Sequence, residues 1–247
     1  MDILTHKAAP KITIRGSKLE LLRRKLRSTV EDFSDGIPQV SRDHSLPLSF
    51  AQERLWFLDR LGRLGPAYHI GLAVRLTGEL DSVALSAALT EIVRRHEAVR
   101  TRIAMRDGLG SQLIDPPWPI DLAAERVTLA EARLRTRRLM EESFDLANDR
   151  LLRCLLLALD NQDHILALSM HHIVSDGWSI GVLFRELAAF YGAFSAGRSS
   201  PLPELAIQYA DYAAWHRQWV SERVLQPQLA YWRTRLADAP AGAVRRD

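Results

Sequence analysis

The chain has 247 residues, 47% of them hydrophobic and 26% charged, a balance that suits one large or two modest soluble domains. The net charge is only +3 and acids are interleaved with the scattered arginines, which argues against a nucleic-acid partner. A single cysteine, Cys154, provides neither a disulfide nor a thiolate metal site, and no apolar run reaches membrane-spanning length. No basic start leads into an apolar segment, so a cytoplasmic protein with no membrane association is the expectation.

Residues 1–45 read as leader and linker. Up to about residue 16 there is no periodicity, Leu19 to Leu26 is a short basic helical segment, and Asp32 to Ser45 holds Gly36 and Pro38 among polar residues. The folded part is expected over 46–247. Ser49 and Gln52 have capping-box spacing at the start of a helix through Leu61, with Leu55, Trp56, Leu58 and Leu61 as its apolar face. Ile70, Leu72, Val74 and Leu76 alternate as a half-buried strand ended by Thr77-Gly78.

Asp81 is placed to cap a helix whose stripe is Leu85, Ala88, Leu89, Ile92, Val93 and His96. The His96-Glu97 pair lacks the second histidine that a zinc protease needs one turn later, where Arg100 stands, so metal is not expected. A strand from Thr101 to Met105 turns at Asp107-Gly108 towards Ser111–Ile114, and Pro116, Pro117 and Pro119 end regular structure. Thr128 and Glu131 have capping-box spacing before a helix to about Ser143, on which Arg133, Arg135, Arg137 and Arg138 form a solvated face. Cys154 reads as buried packing.

Leu152–Leu159 and His164–Val174 are expected to pair antiparallel. Beyond the second strand, Ile180, Leu183, Phe184 and Leu187 have helical spacing, so Ser175-Asp176-Gly177 is taken as the turn. Strand alternation separates His171 from His172: one imidazole meets the site at the strand's mouth and the other is held inside, and spacing alone does not say which. A further aromatic helix is expected from about Gln208 to Val220, and Pro227 suits the first turn of a last one through Leu236.

The string Ser169-Met170-His171-His172-Ile173-Val174-Ser175-Asp176-Gly177-Trp178-Ser179 resembles the His-His-x-x-x-Asp-Gly motif of the condensation domains of non-ribosomal peptide synthetases. Three other strings resemble motifs of the same family, in family order: Leu46 to Leu58, Arg95 to Thr101, and Tyr209 to Trp215. Phe144-Asp145-Leu146 is a further family-like string, whereas Tyr68-His69 stands where the family commonly has Tyr-Asn.

The resemblance implies an α/β (α+β) chloramphenicol-acetyltransferase-like lobe, with a mixed sheet flanked by helices. It covers the first lobe of a two-lobed domain, and the later motifs do not occur. It implies amide-bond formation between carrier-bound acyl and aminoacyl thioesters, with the subtype joining two L-residues most similar. No cofactor is bound directly; substrates arrive on the phosphopantetheine arms of carrier proteins, and the partners are those carriers with a C-terminal lobe or adjacent synthetase domains.

In this reading His172 orients or deprotonates the amine, His171 is held inside, and the backbone near Gly177 supplies oxyanion donors. Asp176 is expected to hold structure through Arg100, the candidate partner for a buried carboxylate. The isolated lobe is expected to be inactive. The competing readings are a non-catalytic carrier-docking lobe and a coenzyme-A-dependent acyltransferase.

Overall fold

The computed structural model describes residues 36–62, 65–106, 108–220 and 225–237. The fold below is that of the unit Gln39–Asp247. The expected leader and basic helix at Leu19–Leu26 lie outside the described residues.

A four-stranded sheet carries the site. Its order is β2 (His69–Thr77), β7 (Asp163–His171), β6 (Leu152–Ala158), β5 (Glu125–Arg126), antiparallel except for the parallel β5–β6 pair. A separate antiparallel sheet of three strands has the order β1 (Leu46–Pro47), β4 (Leu109–Ile114), β3 (Thr101–Arg106). The helices are α1 (Phe50–Arg60), α2 (Ser82–Arg95), α3 (Leu129–Glu141), α4 (Gly177–Phe194), α5 (Tyr209–Trp219) and α6 (Leu225–Leu236).

The apolar run of β7 is explained by what covers it. Leu166, Leu168 and Met170 enter the main core with Leu85, Leu89, Ile92 and Val93 of α2 and Leu183, Leu187 and Phe190 of α4. Each such side chain contributes roughly 1.5–3 kcal/mol when fully buried. The opposite face of β7 is also buried, and α3 crosses that side of the sheet. Gly71, paired with Ser169, permits the crossing, since a Cβ there would lie 2.5 Å from Met140 Cγ. Burial on both faces is why β7 does not alternate in sequence.

A second core, formed by Leu48, Leu55, Ile103, Phe144, Leu146, Leu151, Ile173 and Val174, joins the three-stranded sheet to the end of β7. The Phe144-Asp145-Leu146 string thus packs beside the site, and Leu146 accepts the Ile103 N–H at 2.7 Å.

The expected helix starts largely hold. Ser49 and Gln52 form the reciprocal box at α1, and Asp81 accepts the Ala84 N–H at 2.9 Å. At α3 only half of the expected box forms: Thr128 accepts the Glu131 N–H, while the Glu131 carboxylate turns outward to Arg135 at 2.8 Å. The apolar face of α1 is narrower than expected, because Leu61 is the exposed C-cap beside the exposed Phe57. The β3–β4 pairing extends to Leu109, two residues beyond the expected Ser111. Cys154 packs against the main core, and burial pushes its thiol up to about 12.

The loop before β1 is tied to the folded unit by charge. Asp211, almost fully buried on α5, accepts the Val40 N–H at 2.9 Å and the Gln208 N–H at 2.7 Å, and binds the Arg42 guanidinium at 2.7 Å. Arg42 also reaches Glu97 at 2.9 Å. The Arg95–Thr101 string and the Tyr209–Trp215 string are therefore fastened together by a residue from outside both.

Candidate active site

Strand β7 ends at His171, and the chain turns at His172–Val174, earlier than the expected Ser175–Gly177. The Val174 N–H closes this turn on the His171 carbonyl at 3.1 Å. His172 therefore lies beyond the strand. Its direction comes from the turn rather than from the alternation it would have shared with Met170.

The two histidines occupy opposite environments. His171 is 4% exposed, edge-on to the rings of His69 at 5.9 Å and Phe144 at 6.3 Å. Its Nδ1 accepts the Ile173 N–H at 3.1 Å, so its proton sits on Nε2. Burial, together with the charges of His69 and His172, pushes its pKa down to about 4. His171 is thus a neutral hydrogen-bond acceptor for the turn. His172 has an exposed side chain, and its backbone N–H is fixed to the Tyr68 carbonyl at 2.8 Å.

Asp176 caps α4. Its carboxylate accepts the Ser179 N–H at 2.8 Å and the Ser179 hydroxyl at 2.6 Å; these bonds hold it below the usual carboxylate range, and His172 adds to the effect. Gly177 is the first residue of this 18-residue helix, and a Cβ built there meets nothing within 4 Å. The first N–H groups of α4 have no partner one turn back, and they carry the positive end of the helix dipole. Trp178, 82% exposed, follows.

The expected support of Asp176 by Arg100 is corrected by the structure. Arg100 ends the short 3-10 turn leading into β3, donates to the Asp115 carbonyl, and has Glu97 as its nearest carboxylate at 3.7 Å. Burial lowers its pKa, and its Nε is buried without a partner. The physical reason is local: a cap residue finds its donors in its own helix, three residues on, and needs no distant cation.

Three supporting residues escaped the functional reading of the sequence. Gln52, 1% exposed, donates from Nε2 to the Ile173 carbonyl at 3.4 Å while its Oε1 accepts the Ser49 N–H at 3.0 Å. The Tyr209 hydroxyl lies 2.9 Å from Ser49 Oγ; burial raises its pKa, and the Asp176 charge contributes. Glu186 on α4 bridges His96 at 2.7 Å and Arg95 at 3.1 Å. Gln52 carried a signal as a capping residue, but the others depend on partners far away in sequence. Among the described residues no group of three His, Cys, Asp or Glu side chains is arranged to hold a metal ion.

A strand-to-helix turn with one buried and one exposed histidine, followed by an aspartate-capped helix on a lobe of this topology, defines the condensation-domain class of α/β folds. The chain belongs to the Condensation domain family, which it matches over residues 42–243.

It is 46% identical over 211 residues to malpinin synthetase of Mortierella alpina, covering 83% of this chain and 3% of that protein. It is 43% identical over 200 residues to chondramide synthase of Chondromyces crocatus, covering 78% of this chain and 5% of that protein. Among solved structures, the X-domain from teicoplanin biosynthesis superposes with a TM-score of 0.75 at 36% identity, covering 83% of this chain and 46% of that one. That X-domain has also been solved in complex with OxyB. The chain therefore spans about half of the solved domain and a few percent of the curated synthetases.

Proposed function

We propose that this chain is the His-His-x-x-x-Asp-Gly lobe of a condensation domain that joins a carrier-bound aminoacyl thioester to a carrier-bound acyl thioester, both on phosphopantetheine arms. The subtype joining two L-residues is the most similar in motif. The observation that carries the reading is the division of labour between the histidines: His171 is buried and neutral, and His172 is exposed beside the start of α4.

The α-amine of the acceptor has a reference pKa near ~8 and must lose a proton as the C–N bond forms. His172 takes or orients that proton. The amine attacks the acyl carbonyl, the tetrahedral oxyanion is stabilised by N–H groups near Gly177, and collapse gives the amide and a free carrier thiol. Asp176 and His171 shape the turn and touch no substrate.

The test uses a domain completed by its second lobe and loaded carrier proteins. His172→Ala should lower condensation by roughly 10²–10⁴ with the melting temperature unchanged. Turnover at the unsubstituted rate would remove His172 from the mechanism. A second reading, a non-catalytic docking lobe, is favoured by the likeness to an X-domain that has been solved with a protein partner. It predicts carrier or partner binding with no product in the same assay.

A further inference from the structure

We propose that Gln52 is a positioning residue for His172, acting through the Ile173 carbonyl, in addition to its place in the α1 cap. The geometry stands on the contacts alone; the consequence for turnover rests on the function proposed above.

Besides its own closing bond from the Val174 N–H to the His171 carbonyl, the turn after β7 is held at three backbone points. Tyr68 accepts the His172 N–H at 2.8 Å, His171 Nδ1 accepts the Ile173 N–H at 3.1 Å, and Gln52 Nε2 donates to the Ile173 carbonyl at 3.4 Å. The first comes from Tyr68, the last residue of the 3-10 turn before β2, and the second from the motif itself. Gln52, on α1 and 121 residues away, supplies the third, and it fixes the Ile173–Val174 peptide group, the second after His172. At 3.4 Å the bond is long and individually weak, so its contribution is direction more than energy.

The side chain has little freedom to do anything else. Gln52 is buried, its Oε1 is taken by the Ser49 N–H at 3.0 Å, and its backbone N–H is taken by Ser49 Oγ at 3.1 Å. Ser49 Oγ is itself fixed by the Tyr209 hydroxyl at 2.9 Å. With the amide oxygen committed, the amide nitrogen is left facing the Ile173 carbonyl. Three strings far apart in sequence thereby converge on one peptide bond, and the direction of the exposed imidazole is inherited from α1 and α5. A side chain in solvent has no packing of its own to orient it, so its backbone is where precision must come from.

Capping and positioning are separable by one atom. Gln52→Glu keeps an N3 acceptor for the Ser49 N–H, which capping boxes accept equally well, but an ionised carboxylate cannot donate to the Ile173 carbonyl. The experiment is imidazole NMR on the full 247-residue chain above pH 7, with His172 assigned by comparison with His172→Gln. Gln52→Glu should shift and broaden the His172 signal while that of His96, held by Glu186, stays fixed. In a complete domain that turns over, kcat should fall on the order of tenfold to a hundredfold with KM little changed.

An unaltered His172 signal in a folded Gln52→Glu chain would reduce Gln52 to a cap. If that variant does not fold, hydrogen exchange of the Gln52 side-chain amide in the unsubstituted chain decides. One slowly exchanging amide proton supports the bond to Ile173, and two freely exchanging protons overturn it.

Discussion

His171 Nδ1 accepts the Ile173 N–H at 3.1 Å, so the buried histidine holds the turn from which its exposed neighbour projects. His171→Ala removes that acceptor and leaves a buried N–H unpaired, which costs about 1–3 kcal/mol before any cavity term. His171→Asn offers an amide oxygen near the same position and should be the milder change. Urea unfolding of both variants at neutral pH checks this order.

The same residue gives a pH dependence of known sign. Its folded pKa is pushed down to about 4, below the ordinary histidine value of 6.5, so the unfolded chain binds the proton more readily. Its contribution is complete above pH 6.5 and is lost as pH falls from 6.5 towards 4, by roughly 3 kcal/mol in total. Stability measured across that window should lose this slope in His171→Asn. An identical slope in both proteins would assign the acid sensitivity elsewhere.

Asp176 should tolerate substitution by Asn. Asn is an equally good N-cap, so Asp176→Asn is expected to change stability by less than about 0.5 kcal/mol, and Asp176→Ala to cost about 1 kcal/mol. Support by Arg100 would have made the Asn variant severe, since it would strand a buried cation. Thermal unfolding of the two variants separates these outcomes.

Alone, the chain is expected to fold without condensing. Under the function proposed above the site needs a second lobe to position the acceptor and exclude water, so for residues 1–247 alone an orientation effect of up to ~7–11 kcal/mol is expected to be mostly absent. Product formed above the buffer rate by purified, monomeric chain would contradict this. Phe50, Phe57, Leu61 and Trp178 are exposed apolar side chains, and concentration-dependent association in sedimentation velocity is the accompanying expectation.

Cys154, half-buried against the main core, should be a poorly reactive thiol. With its pKa pushed up to about 12, almost no thiolate exists at neutral pH. Alkylation of the folded chain by iodoacetamide should be much slower than that of free cysteine and rise sharply in denaturant; labelling of the folded chain at the free-cysteine rate would contradict the raised pKa.

What the sequence by itself determined is local. The Ser49–Gln52 box, the Asp81 cap, the apolar run of β7 and the stripe of α4 are all legible because their interactions span three or four residues or one strand period. The family strings likewise marked the site. The Arg100–Asp176 pairing failed because two charges of opposite sign say nothing about distance, and the capping interaction that Asp176 makes instead lies three residues away.

Spacing left open which histidine is buried and only the family resemblance put His171 inside; the tertiary structure gives the reason, with α3 and Phe144 covering the second face of β7. It also decided that Gln52 meets Ile173, Tyr209 meets Ser49 and Arg42 meets Asp211, contacts separated by 121, 160 and 169 residues. Hydrogen-bond partners at such separations are chosen by how packed elements bring backbone and side chains together, and no periodicity in the chain records that choice.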